Sequence, residues 1–404
     1  MSRRVTLVLT TLESAAPLVA PPFEVHTPWW PDVEPVVAEA ARLGVEATVL
    51  RLLDASPDPR HPSGMAGTVT YLAETPAEAY ERLIRAGAAE HCRGVLDDHP
   101  LRASWARPGG PARHVAWADA ALRANRRPRS GPVVQVKSWN LTGLWMLPTA
   151  VGPVWLKTVP AFFAHEGRVI AALGDAPVPP LLAAEDGRLL LDHVDGEDQW
   201  DAPLPVQLEM VALLVELQFR CIDRADELLR LGAADLRAPA LGTAGADLLE
   251  RNREGLDGAD RSILETLVEG LDRRFARVDA CGLPDTLVHG DFHPGNVRGG
   301  SGGLVVLDWG DCGVGHPLLD LDAMIERVLE PARLRAAWFR HWRRRLPGCD
   351  PARAAELLAP VGCLRRAIVY QVFLDGIEPS ERRYHAADVI DMLARAAAIA
   401  RSER

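Results

Sequence analysis

The sequence predicts an α+β chain in which a separate α/β unit precedes a small strand-rich lobe and a larger helical lobe. Three observations carry this. Strand-like apolar runs and short amphipathic segments alternate through the first part of the chain. The segment NRRPRSGP, Asn125 to Pro132, has the Pro, Gly and charge content of a linker. From Leu204 onwards the pattern turns mostly helical. With 404 residues and about 100–200 residues per domain, two or three domains are expected.

The first unit, residues 1 to about 130, opens on RVTLVLTTL as a strand. DVEPVVAEAARLG follows as a short helix stopped at Gly44, then VEATVLRLL and GTVTYLAET as strands and PAEAYERLIRAGA as an amphipathic helix. The start MSRRVTLVLTTLES is basic, but its apolar run is short and closed by Glu13, so it reads as a buried strand and not as a signal peptide. After the linker, residues 131–200 form the strand-rich lobe. VVQVKSW and LWMLPT are strands joined by NLTG, and GPVWLKTVP is a third. AFFAHEGRVIAALG is helical with a Gly174 stop, and LLAAEDGRLLLDHVDG is a hairpin across EDGR that runs into a loop. Residues 201–404 form the helical lobe, interrupted once by the run LVHGDFHPGNV, Leu287 to Val297.

Composition narrows the function. The 48% apolar content suits a globular protein with a sizeable core. The formal charge of −10 argues against a nucleic-acid partner, which needs cations to neutralise phosphates. No apolar run approaches the roughly 18–20 residues that cross a bilayer, so no membrane role is expected. The cysteines at 92, 221, 281, 312, 349 and 363 form neither a zinc pattern nor a disulfide framework, which suits a reducing cytoplasm. Of 45 Lys plus Arg only Lys137 and Lys157 are Lys, leaving 45 − 2 = 43 Arg. Against such a bias a retained Lys marks a place where a compact ammonium is needed, with chance survival as the rival reading.

The run HGDFHPGN and the later LDWGD concentrate the chemistry. Phosphoryl transfer asks for one carboxylate to orient and accept the proton of an attacking hydroxyl, and for oxygen ligands that hold magnesium on the phosphates. The first run supplies Asp291 and Asn296, and the second supplies Asp308. A return of LVVLDW as a strand from the turn RGGSGG would set Asp308 beside Asn296. Either motif alone reads as turn chemistry. His289 and His293 have zinc-like spacing, but Gly290, Pro294 and Gly295 break the helix that such a site needs, so they read as structural.

Together the two motifs resemble the signature of the aminoglycoside phosphotransferase and choline kinase family over residues 131 to 404. The resemblance implies a bilobal protein-kinase-like fold, ATP or GTP as phosphoryl donor, Mg2+ as cofactor and a small-molecule hydroxyl as acceptor. It implies Asp291 as catalytic base and Asn296 and Asp308 as magnesium ligands. It also implies Lys157 as the phosphate-binding Lys, Glu166 as its ion-pair partner, and a purine-binding hinge at Asp192 to Val194. NLTG stands where protein kinases carry a Gly-rich loop, with Ser138 and Thr142 as hydroxyls that could position phosphates. Asp320 resembles the acidic residue that braces the catalytic loop, and Asp311 supports the metal, faces a cationic acceptor or is simply solvated. The acidic Asp375, Glu378 and Glu381 either favour a cationic acceptor or are solvated faces. The Arg and Ala bias suggests a high-GC bacterium, and by association an antibiotic acceptor, nucleoside antibiotics such as capuramycin included. A metabolite kinase and a non-catalytic nucleotide-binding module are the alternatives. The amino-terminal unit is similar in outline to the Nudix fold without its box, since EAARL before Gly44 has only Glu39 as an acidic residue. Packing on the lobes, shaping the acceptor cleft and building a homodimer are the roles open to it.

Overall fold

The computed structural model describes residues 2–13, 16–27, 29–57, 67–300, 302–385 and 387–403. The chain divides into two compact units. Residues 1–164, 180–193 and 376–384 make the first, and 165–179, 194–375 and 385–404 the second.

The first unit begins with β1 (Arg3–Thr10), β2 (Leu18–Val19), β3 (Phe23–Val25), α1 (Glu34–Arg42), β4 (Thr48–Pro57), β5 (Gly67–Glu74) and α2 (Ala77–Arg85). Its sheet runs β2-β1-β5-β4, with β3 also pairing to β1. β1 and β5 are parallel and the other pairs antiparallel. The period-2 pattern sends Val5, Leu7 and Leu9 to one core with Val36 and Ala40 of α1, and Val8 to the opposite face with Leu50 and Leu72.

α3 (Gly110–Ala124) leads into a second, antiparallel sheet: β6 (Val134–Ser138), β7 (Gly143–Thr149), β8 (Gly152–Thr158), β9 (Leu181–Glu185) and β10 (Arg188–Asp192), in the order β6-β7-β8-β10-β9. The β9–β10 turn has positive φ at both Asp186 and Gly187, as a two-residue hairpin demands. Trp145, Leu147, Val154, Leu156 and Leu190 of this sheet share one core with Trp105, Ala118 and Leu122. Leu122 alone, fully buried, contributes about 1.5–3 kcal/mol.

A domain boundary at about residue 130 therefore cuts through a packed core. The linker expected at Asn125–Pro132 is instead pinned by ion pairs, Arg127 to Asp192 at 2.7 Å and Arg129 to Asp119 at 3.0 Å. Its Pro and Gly mark a turn, not a junction. The two sheets are also joined directly. The Gln135 amide accepts from Val49 N–H at 2.9 Å and donates to Val49 O at 2.7 Å, and the Ser138 hydroxyl donates to Leu50 O at 3.1 Å. Residues 376–384 return from the far end of the sequence into this unit. There Arg102 forms a buried bidentate pair with Glu378, and Asn140 donates to Glu381 O.

The second unit contains α4 (Glu166–Leu173), β11 (Glu197–Asp198), α5 (Leu204–Arg220), α6 (Ala225–Arg230), β12 (Ala234–Asp235), α7 (Ala238–Arg251), α8 (Gly258–Glu269) and α9 (Leu271–Asp279). After these come β13 (Thr286–Val288), β14 (Val297–Gly300), β15 (Gly303–Val306), β16 (Gly313–Gly315), α10 (Leu321–Ile325), α11 (Pro331–Arg345), α12 (Pro351–Gly376) and α13 (Asp388–Ser402). Two small sheets, β11-β14-β15 and β12-β16-β13, hold the polar motifs among the helices. All six cysteines are free. Among the described residues α12 is the one helix long and apolar enough to cross a bilayer by length and composition. The sequence reading missed it because Arg365 and Arg366 break the apolar run. Its most apolar stretch is 56% buried and Arg365 is buried too, so α12 is a core helix.

Candidate active site

β13 is wholly buried and ends at Val288, and the chain turns sharply after His289. Gly290 makes the turn with φ +92°, and a Cβ there would sit 2.1 Å from Asp311 O, so no other residue fits. Both polar groups of its peptide are held. Asp320, fully buried, accepts from Gly290 N–H at 2.7 Å and from His289 N–H at 2.9 Å, and Arg365 donates to Gly290 O at 2.7 Å. Gln218 donates to the same Asp320 carboxylate at 2.9 Å. Asp320 thus braces the loop, in line with the resemblance.

Asp291 follows, half-buried. Its Oδ2 lies 3.3 Å from both His293 Nε2 and Asn296 Nδ2, and Arg327 lies 3.8 Å from Oδ1. Burial pushes the carboxyl upward, but the hydrogen bond from His293, with the nearby Arg327 guanidinium, outweighs it and holds Asp291 well below the usual carboxylate range. His293 Nδ1 accepts from Gly295 N–H at 3.0 Å, so Nε2 carries the proton that faces Asp291. Asn296 spends Nδ2 on Asp291, donating also to its backbone oxygen at 2.9 Å. Its amide oxygen is the atom left to meet a cation.

The hairpin is the one expected. β14 and β15 pair from Val297↔Val306 to Gly300↔Gly303, and Leu307 N–H then donates to Asn296 O at 2.8 Å. Asp308, one residue on, is exposed at φ +61°, a left-handed conformation that costs a non-glycine residue of order 1–3 kcal/mol. The buried His289 ties the two motifs together. Its Nδ1 accepts from Asp291 N–H at 3.3 Å, its Nε2 donates to Leu307 O at 2.9 Å, and burial lowers its pKa so that it stays neutral. It is structural, as the loop composition indicated.

The other expected residues fall on both units. Lys157 stands on β8 opposite Leu144 and Leu189. Glu166 opens α4 in the second unit, buried, and its carboxylate accepts from Trp309 N–H at 3.2 Å. At the hinge, the Asp192 carboxylate is engaged by Arg127 and its N–H by Pro180 O, while Val194 O accepts from Arg298 at 2.8 Å. The Ser138 and Thr142 hydroxyls correct the expectation for NLTG. Both donate to backbone carbonyls, Ser138 to Leu50 O and Thr142 to Thr158 O. Two of the acidic trio are corrected as well. Glu378 and Glu381 are buried in the first unit, so neither is a solvated face or an acceptor surface, whereas Asp375 is exposed and pairs with Arg251.

The model of the phosphotransferase enzyme family matches residues 130–357, more than half of the chain. The chain belongs to that family. As a phosphotransferase it is an enzyme that moves a phosphoryl group to an alcohol acceptor. No curated protein matches it. The fold of this phosphotransferase is that of macrolide 2′-phosphotransferase MphH from Brachybacterium faecium, at 17% identity and a TM-score of 0.51, covering 68% of this chain and 97% of that one. A structure described as macrolide 2′-phosphotransferase type I is similar at 18% identity and a TM-score of 0.51, covering 69% and 96%. The expected α+β kinase-like fold is the one found.

Sequence reasoning missed Arg327, Arg365, Gln218 and Trp200 of this phosphotransferase. The first two sit in helical stretches whose Arg content hides them, and Gln218 is one polar residue on an apolar helix. Trp200 had a signal, an aromatic in the acidic run DGEDQWD. It is 58% exposed, its ring is 5.1 Å from that of His293, and a Cβ on Gly295 would lie 2.3 Å from it. Gln199, its neighbour, donates N–H to Val297 O at 3.0 Å and bolts the loop to β14.

Proposed function

We propose that this chain transfers the γ-phosphoryl group of ATP or GTP to a hydroxyl of a small molecule, an antibiotic being the favoured acceptor. The observation that carries the reading is the junction of the two motifs, where Asn296 faces Asp291 with its Nδ2 and, through its backbone oxygen, anchors the turn to Asp308. Asp291 receives the acceptor hydroxyl and takes its proton. Because His293 and Arg327 keep it ionised, it is a weak base whose main service is orientation. That suffices in a loose transition state, where the hydroxyl proton becomes acidic only as the new O–P bond forms. Oxygen donors fit Mg2+, which keeps waters and phosphate ligands and needs few protein ones. Among the described residues no group of three or more His, Cys, Asp or Glu could hold a metal. Asn296 and Asp308 would hold Mg2+, whose charge neutralises the phosphate oxygens during transfer. Lys157 supplies a further point charge to the phosphates, Glu166 orients it, and the backbone of Asp192 and Val194 meets the purine.

Trp200 lies over the loop that carries Asp291 and offers a flat apolar face to the ring of an acceptor. The two fold relatives are named for macrolides, which puts macrolides on the panel beside nucleoside antibiotics, sugars and choline. Incubation of each candidate with ATP or GTP and Mg2+, read as a phosphate mass increment, tests the proposal. Turnover on metabolites alone would move the reading to a metabolite kinase, and none with any hydroxyl acceptor would overturn it.

A further inference from the structure

An open cavity of about 670 Å³ lies in the second unit among α9 to α13, and no catalytic-loop residue lines it. Its walls carry Arg277 of α9, Arg335 and Phe339 of α11 and the first two turns of α12, with Asp322 of α10 facing them. Two of its carboxylates are already matched, Glu356 by Arg353 at 2.7 Å and Glu403 by Arg274 at 2.6 Å. Among the described residues Arg277, Arg335 and Asp322 make no salt bridge. Asp322 is half-buried, and the charges of Arg365, Arg366 and Arg335 attract it while Glu326 repels it. Room for its side chain exists because residue 362 is glycine, where a Cβ would lie 2.3 Å from Oδ2.

We propose that this cavity binds a small phosphate monoester that carries a free hydroxyl. Two guanidinium groups match a phosphate dianion in charge and in fork geometry, and the amino-terminal end of α12 adds its positive dipole. A carboxylate beside them would repel a second anionic group but accepts a hydrogen bond from a hydroxyl. The Phe339 ring gives the carbon body an apolar wall. The site is wired to the catalytic loop by short links. Asp320, which holds Gly290 N–H, stands two residues before Asp322. Arg365, which holds Gly290 O, stands less than one helical turn after Gly362.

Calorimetric titration of the full chain at fixed ionic strength tests this, with inorganic phosphate and glycerol 1-phosphate as probes. One saturable site is expected for each, tighter for glycerol 1-phosphate. Arg277→Ala with Arg335→Ala should weaken both by at least about tenfold, and the exposed positions allow the double variant to fold. In Asp322→Asn the preference for glycerol 1-phosphate should shrink. No saturable binding by the wild type, or unchanged binding by the arginine double variant, would overturn the proposal. So would a preference untouched in Asp322→Asn.

Discussion

Asn296 donates its Nδ2–H to the backbone oxygen of Asp291 at 2.9 Å and faces the Asp291 carboxylate at 3.3 Å. One amide thus fixes the proposed base and turns its own oxygen away from it. Asp291→Asn should cut turnover by about 10²–10⁴-fold while nucleotide affinity stays near wild type. Asn296→Ala should raise the magnesium concentration needed for half-maximal rate. Unchanged magnesium curves for both Asn296→Ala and Asp308→Ala would remove the metal assignment.

Asp320 serves three donors at once, so its loss should be felt as stability before activity. Asp320→Ala leaves buried N–H groups unpaired at about 1–3 kcal/mol each, and the urea midpoint should fall accordingly. Asp320→Asn keeps one acceptor and should fall less. Equal midpoints for the two variants would show that the carboxylate geometry is unimportant.

Lys157 and Lys137 form an internal comparison. Lys157→Arg should damage the chemical step nearly as much as Lys157→Ala, since a planar fork cannot replace an ammonium among phosphate oxygens. The backbone of Lys137 forms an isolated β-bridge with that of Asp32 within the first unit, and the Lys137 charge is felt by the Asp32 carboxylate. Lys137→Arg keeps the charge and should be mild. Steady-state rates that drop equally in both Arg variants would contradict the assignment.

The Glu381 carboxyl is pushed up to about 8 by burial and by Glu378, with Arg51 and Arg102 opposing. The folded chain keeps this proton where the unfolded chain, with its ordinary value of 4.5, has lost it. Stability from this group is therefore fullest below about pH 4.5 and is lost as pH rises towards 8. Glu381→Gln mimics the protonated form. Its melting temperature should exceed that of the wild type increasingly between pH 5 and pH 8, and parallel melting curves across that range would refute the shift.

Trp200→Ala should raise the KM for the acceptor several-fold and leave the nucleotide KM alone, with Trp200→Phe intermediate. A change confined to the nucleotide KM would place the indole on the donor side instead.

Local signals made the site legible. A Gly-rich hairpin between two polar motifs dictates that the chain returns to Asn296, and Leu307, one residue before Asp308, meets it there. The strands of the second sheet were readable for the same reason, each bounded by turn residues. What escaped was fixed by distant partners. Leu122 completes the core of a sheet that starts only at residue 134, and nothing in its neighbourhood says so. Glu378 and Glu381 look like surface acids until Arg51 and Arg102 are brought to them. The Ser138 hydroxyl is claimed by Leu50, 88 residues earlier.

The late return of residues 376–384 has a bearing on biosynthesis. Arg102 and its partner Glu378 are 276 residues apart, so at about 5–20 residues per second the ribosome takes tens of seconds to supply the counter-ion. Until then the first unit holds two arginines, Arg51 and Arg102, in a place designed for a carboxylate that has not been made. The amino-terminal sheets can form early but cannot close. Completion of this core waits until residues 376–384 have been made, which keeps the first unit open to chaperones through that interval and makes a stop before residue 378 a folding defect around Arg102.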